Sequence, residues 1–363
     1  MKATQQLHDI GQSLWLDNIT REILTNGTLA RYISDLSVTG LTSNPTIFEH
    51  AIASGKSYDR AIGELARQDK SGEDLFFALA LQDLTQAADL FRPVHEATDG
   101  VDGWVSLEVS PLLADDTAKT IHAAARLHAA AARPNLFIKI PGTAAGIPAI
   151  EESIFAGVPI NVTLLFSREH YLAAAGAYMR GIERRIAAGL DPKVESVASL
   201  FISRWDVAVK QEISPQYHNR LGIAIAMHTY KAYRDLLASA RWEKIGRAGV
   251  HPQRLLWAST GTKDPAAPDT LYVQALAAPD TINTIPEETL HAFADHGKVG
   301  TAMPNDGGCA EAVLEEFRRE GVDDEALAAR LQREGADAFS KSWRALLSRI
   351  KEKSSQLAGV AAK

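Results

Sequence analysis

Eight short apolar runs, each bounded by turn residues and separated from the next by a longer helical pattern, recur along this 363-residue chain. They are Ser13 to Asp17, Gly40 to Asn44, Gly103 to Val109, Leu136 to Ile140, Pro159 to Leu165, Ser196 to Ile202, Arg254 to Ser259 and Thr281 to Ile285. Runs of this kind form strands, and strands that alternate with helices build a parallel sheet. Eight of them in roughly 300 residues suit an α/β fold of the (β/α)8 or TIM-barrel type, which takes about 250 residues plus insertions.

The connecting stretches carry helix signals. Asp115 and Asp116 open Thr117 to Leu127, and Ser167 caps a long segment that stops at Gly189. Ile147 to Phe155 ends at Gly157, and Leu221 to Leu237 places Met227, Tyr230 and Tyr233 at helical spacing, as core or subunit-contact residues. From Glu311 to Ser355 the chain is charged and amphipathic, with breaks expected near Gly321 and Gly335. The expected layout is therefore one domain: a barrel over 1–310 and a C-terminal helical extension over 311–363 packed on it.

Side chains alternate between the two faces of a strand. Asp17, Thr42 and Asn44, Ser106 and Glu108, Lys139, Asn161 and Thr163, Ser199, Ser259 and Asn283 fall opposite the apolar positions of their runs, near the C-terminal ends. Half-exposed strands also alternate, with polar residues facing water. In a barrel the apolar set lies outward under the helices and the polar set meets at the catalytic rim. Solvent faces collect Lys, Glu, Arg and Thr, whereas this set is Asp, Asn, Glu, Lys, Thr and Ser, which favours the barrel.

Lys139 stands inside an otherwise apolar strand. An edge position with the ammonium in water accounts for such a lysine. A buried position disfavours the charged form, lowers the pKa and makes the amine a nucleophile for a carbonyl carbon. Glu108 on the preceding strand can move protons for it, Thr163 on the following strand can hold a water, and Asp17 is a second carboxylate for a sugar hydroxyl. Asn44, Asn161, Ser199 and Asn283 suit a polyol. Asn44 also fits a turn before Pro45, and Asp17 fits an N-cap for Asn18 to Leu24. Ser259-Thr260-Gly261-Thr262-Lys263, together with Arg204, offers backbone N–H groups and positive charge to a phosphate.

The net charge of −7 and pI near 5.9 argue against nucleic acid or an anionic membrane as partner. No run reaches the about 18 apolar residues of a membrane span, no secretory signal is visible, and the single Cys309 fits a reducing cytoplasm. Dinucleotide, Walker A and HExxH fingerprints are missing, and His122, His128, His291 and His296 read as helix-surface residues rather than ligands.

Six stretches resemble transaldolases: Gly40-Leu-Thr-Ser-Asn-Pro-Thr46, Val105-Ser-Leu-Glu-Val109, Leu136-Phe-Ile-Lys-Ile140, Gly157 to Ser167, Ala198 to Arg204 and Trp257-Ala-Ser-Thr-Gly261. The resemblance implies a circularly permuted class I aldolase barrel that needs no metal or cofactor. It also implies transfer of a dihydroxyacetone unit from sedoheptulose 7-phosphate or fructose 6-phosphate to glyceraldehyde 3-phosphate or erythrose 4-phosphate, in the pentose phosphate pathway. Lys139 would form the Schiff base, Glu108 would act through a water held by Thr163, and Asp17 would be the acid/base at the C–C bond. Asn44, Asn161 and Ser199 would contact the dihydroxyacetone part, and Arg204 the phosphate. Where well-known transaldolases carry a second phosphate arginine, two residues after the serine matching Ser259, this chain has Gly261. It looks like a longer bacterial subgroup, and the second phosphate contact moves to Lys263. A fructose-6-phosphate aldolase, which releases dihydroxyacetone, and a non-catalytic sugar-phosphate-binding barrel are the alternatives. A monomer or homodimer is expected.

Overall fold

The computed structural model describes residues 1–361. Its strands are β1 (Gln12–Leu16), β2 (Val38–Thr42), β3 (Trp104–Glu108), β4 (Leu136–Pro141), β5 (Ile160–Leu165), β6 (Ser196–Phe201), β7 (Arg254–Ala258) and β8 (Thr281–Ile285). All are parallel and pair in chain order, and β8 closes on β1. The chain therefore forms a (β/α)8 barrel, and all eight runs become strands. Asp17, Asn44 and Ser259 lie just beyond their strands rather than within them. The chain leaves the sheet there to enter the next loop or helix, at the end where barrels keep their functional groups.

Both faces of the strands are buried. Leu14, Leu41, Leu107, Ile138 and Ile160 face outward under the helices, while Trp15, Trp104 and Phe137 fill the interior, with Trp104 and Phe137 stacked at 4.0 Å between centroids. Trp15 fits because Gly40 stands opposite. A Cβ on residue 40 would lie 2.6 Å from the indole ring. Gly40→Ala is therefore expected to cost about 1–3 kcal/mol by overpacking, read as a lower thermal midpoint. An unchanged midpoint would show that the indole does not fill that space.

The helix ends follow the expected signals. Ser167 caps Arg168–Ala187 by accepting from His170 N at 3.1 Å, and Asp116 caps Thr117–Ala131 through Lys119 N at 3.0 Å. Leu221–Leu237 is helical as expected, with Tyr230 and Tyr233 fully buried in the core. Asp17 is not an N-cap: the helix that follows is Arg21–Thr25, and its cap is Thr20.

After β8 the chain forms the helix Glu287–His296, then Ala310–Arg319 and a long C-terminal helix, Asp324–Ala361. The break near Gly321 is present, with φ at +90°, but the break expected at Gly335 is not. There the glycine serves close approach: a Cβ would lie 3.0 Å from Leu164 Cδ2 at the barrel rim. The C-terminal helix also runs against Pro45–Ser54, the helix that follows β2. Thr46 Oγ1 donates to Ser342 Oγ at 2.9 Å, and Trp343 packs on Phe76 while its indole N–H donates to Glu73 at 2.8 Å. Residues 362 and 363 of the expected 311–363 extension lie outside the described residues.

Candidate active site

At the C-terminal end of the barrel a cleft of about 270 Å³ is lined by Asp17, Asn44, Lys139, Ser199, Arg204, Ser259 and Lys263, together with Thr42, Thr284, Phe201 and Phe339. An adjoining space of about 600 Å³ shares Arg204, Ser259 and Lys263 with it.

Lys139 is only 6% exposed, which removes the snorkelling alternative. The parallel register sets it directly beside Glu108 on β3 and Asn161 on β5. Its Nζ lies 3.5 Å from Glu108 Oε2 and donates to the Ser43 carbonyl at 3.3 Å. Burial raises the Glu108 carboxyl to about 7, against the attraction of Lys139, with a smaller upward push from Asp17. The Asp17 carboxyl is also raised, first by burial; the Lys139 charge, a hydrogen bond from Thr42 and the Lys263 charge act against this. That hydrogen bond, Thr42 Oγ1 to Asp17 Oδ1, measures 2.8 Å. The two carboxyls thus flank one amine and differ in setting, one sealed behind the lysine and one on the cleft wall.

Glu108, Asn161 and Thr163 are buried and do not line the cleft. Asn161 is held in a chain, donating to Ser106 Oγ at 3.1 Å and accepting from Ser199 Oγ at 2.7 Å. Both Glu108 oxygens and Thr163 Oγ1 are buried with no hydrogen-bond partner in the protein. Buried oxygens of this kind are normally satisfied by an ordered water or a ligand. Asn44 does cap the helix after β2, accepting from Ile47 N at 3.1 Å through Oδ1. Its amide nitrogen is left for the cleft.

Arg204 stands in the first turn of the short helix Ser203–Val209, over the Phe201 ring at 5.7 Å, and burial lowers its pKa. Ser259 holds a left-handed φ of +56°, and its Oγ lies 2.9 Å from Ser203 Oγ. Gly261 has a steric reason. A Cβ there would lie 3.0 Å from Pro286 Cγ and 3.7 Å from Lys263 Nζ, so the Lys263 amine stands close to the direction a side chain at 261 would take.

One expected residue does not join the site. Asn283 pairs in register with Leu14 and Trp257, on the outward side of the barrel, where its Oδ1 accepts from Thr260 Oγ1 at 2.9 Å. Thr284 is the inward polar residue of β8, and its Oγ1 lies 2.6 Å from Thr42 Oγ1. Two adjacent polar residues left the parity of this strand open, and the register sets it. The sequence also held no sign of Ser43, which acts through its carbonyl, or of Phe339, which arrives from the C-terminal helix. Among the described residues, no three His, Cys, Asp or Glu side chains group as ligands for a metal ion.

Comparison with known proteins matches residues 14–350 to the family described as Transaldolase/Fructose-6-phosphate aldolase. The chain is 45% identical to the transaldolase of Thermobifida fusca over 355 residues, covering 95% of this chain and 96% of that one. It is 42% identical to the transaldolase of Renibacterium salmoninarum (96% of each chain) and 42% identical to that of Thiobacillus denitrificans (96% of this chain, all of the relative).

Proposed function

The chain belongs to the transaldolase/fructose-6-phosphate aldolase family, and from that membership we propose how its own residues carry out transaldolase chemistry. The protein is an enzyme, a transferase that acts on sugar phosphates. The observation that carries the mechanism is the buried pair of Lys139 and Glu108, in register and 3.5 Å apart, at a cleft with Arg204 and Lys263 on its wall.

In its uncharged form Lys139 Nζ adds to the C2 ketone of the donor, and the resulting carbinolamine loses water to give a Schiff base. Glu108, at about 7, is poised between its acid and base forms at neutral pH. It takes the proton that the amine gives up on attack and returns one to the departing hydroxyl. A water shared with Thr163 would carry these protons and satisfy the three buried oxygens of the two residues. Asp17 then takes the proton of the C4 hydroxyl. The C3–C4 bond breaks, its electron pair passes toward the iminium nitrogen, and the aldose phosphate leaves as an aldehyde. The enamine left on Lys139 attacks the acceptor aldehyde, whose oxygen recovers the proton from Asp17, and hydrolysis frees the lysine.

Ser199 and the Asn44 amide suit the hydroxyls of the dihydroxyacetone unit, with Asn161 holding Ser199 in place. Arg204, Ser259 and Lys263 suit the phosphate, and the nearness of Lys263 Nζ to position 261 supports giving it the second cationic contact. The donors would be sedoheptulose 7-phosphate and fructose 6-phosphate, within the cytoplasmic pentose phosphate pathway. Among the described residues no helix is long and apolar enough to cross a membrane.

Transfer and release separate on one assay. With fructose 6-phosphate alone, about one equivalent of glyceraldehyde 3-phosphate per enzyme is expected, followed by a stop. Added erythrose 4-phosphate should restore sustained turnover. Steady release of free dihydroxyacetone without an acceptor would identify an aldolase instead.

A further inference from the structure

We propose that Gln332, on the C-terminal helix, is a positioning residue for Schiff-base formation, acting through the backbone that aims Thr163. The proposal rests on the mechanism above. Between the pairs Val162–Ala198 and Leu165–Leu200, Thr163 and Leu164 on β5 stand opposite Ser199 alone on β6. This is a β-bulge, a device that re-aims a side chain beside a site. Its second residue, Leu164, is buried and has φ at +58°, a left-handed conformation that is unfavourable for an ordinary L-residue. Such a residue persists only where its surroundings hold it.

The C-terminal helix supplies that hold. Gln332 Nε2 donates to the Leu164 carbonyl at 2.9 Å and to the Gly142 carbonyl at 3.1 Å, while Gly142 N donates to the Thr163 carbonyl at 2.7 Å. One side-chain amide therefore ties the end of β5 to the residue just past β4, on the strand that carries Lys139. Gly335, three residues further along the helix, leaves room for the Leu164 side chain against it. Thr163 Oγ1, at the centre of this arrangement, has no protein hydrogen-bond partner, so its direction depends on the backbone. A bulge freed from Gln332 turns Thr163 away from the Lys139 and Glu108 pair without touching Arg204 or Lys263. Small displacements of catalytic groups carry rate penalties of up to about 100-fold.

The test is Gln332→Met, which keeps the length and removes the donor. The full chain is mixed with fructose 6-phosphate, quenched with borohydride at set times, and the Lys139 adduct is counted beside wild type. A roughly ten- to 100-fold slower adduct rate per folded molecule is expected, with KM within about twofold. The pH dependence of that rate near 7, where Glu108 titrates, should be displaced. Should Gln332→Met not fold, Gln332→Glu has the native shape and sets an ionised carboxylate against two carbonyl oxygens, with the same loss expected. An unchanged rate and pH profile per folded molecule, whatever the change in thermal midpoint, overturns the proposal. Absence of the adduct in wild type overturns the Schiff-base mechanism instead, so the two failures are distinct.

Discussion

Lys139→Ala is expected to lower kcat by about 10⁴-fold or more, the scale seen when a covalent nucleophile is lost, in a protein that still folds. The fold survives because of where Glu108 sits. A buried pair that loses one partner is usually costly, since the remaining charge is stranded. Glu108 already titrates near 7 because burial disfavours its charge. Without the Lys139 cation its carboxyl rises further and stays protonated, so no bare charge is left behind. Arg204, Ser259 and Lys263 still line the cleft, and calorimetry should find sugar-phosphate affinity within about tenfold of wild type. Turnover above about 1% of wild type would place the nucleophile elsewhere.

Glu108→Gln should slow formation of the Lys139 adduct by about 10²–10⁴-fold, the range for a lost general acid–base, and should abolish the pH dependence near 7. Asp17 is not placed to substitute for it, being hydrogen-bonded to Thr42 on the cleft wall. The same variant carries a stability signature. The Glu108 carboxyl has its pKa raised from the ordinary 4.5 to about 7 in the folded protein. Between those values the folded state holds a proton that the unfolded state has released, so the glutamate's contribution falls as pH rises through that window. Glutamine does not titrate. Wild-type stability relative to Glu108→Gln should therefore decline from about pH 4.5 to about pH 7 and level off above it, as read by urea unfolding at several pH values. A difference that is flat with pH, or that grows, would mean the carboxyl is not held in the proton-binding state.

The barrel was legible because its signal is repeated. Eight runs with turn boundaries are hard to produce otherwise, and each run needs only its length and composition to be read. That Asp17, Glu108, Lys139 and Ser199 gather at one end of the barrel was legible for a related reason: each stands out against an apolar run of known parity. Asn283 shows where that reasoning stops. Its neighbour Thr284 is polar too, so alternation alone gives two equal answers, and only the pairing of β8 with β1 and β7 selects Thr284. The helical break expected at Gly335 failed because a glycine read in isolation is a breaker. In place it is the gap that admits Leu164. Phe339 and Gln332 were invisible for a third reason. Their partners lie more than a hundred residues away in sequence, and an amphipathic helix does not declare which surface it will cover.

Whether the Lys139 amine bonds to the ketone carbon of a sugar phosphate is read from the mass of the borohydride-trapped adduct. Fructose 6-phosphate and borohydride are added to the full chain, the product is digested, and the labelled peptide is sequenced by mass spectrometry. A reduced adduct on Lys139, lost in Lys139→Ala, is the result expected. A label on any other lysine, or no label from an enzyme that is turning over, contradicts a Schiff base on Lys139.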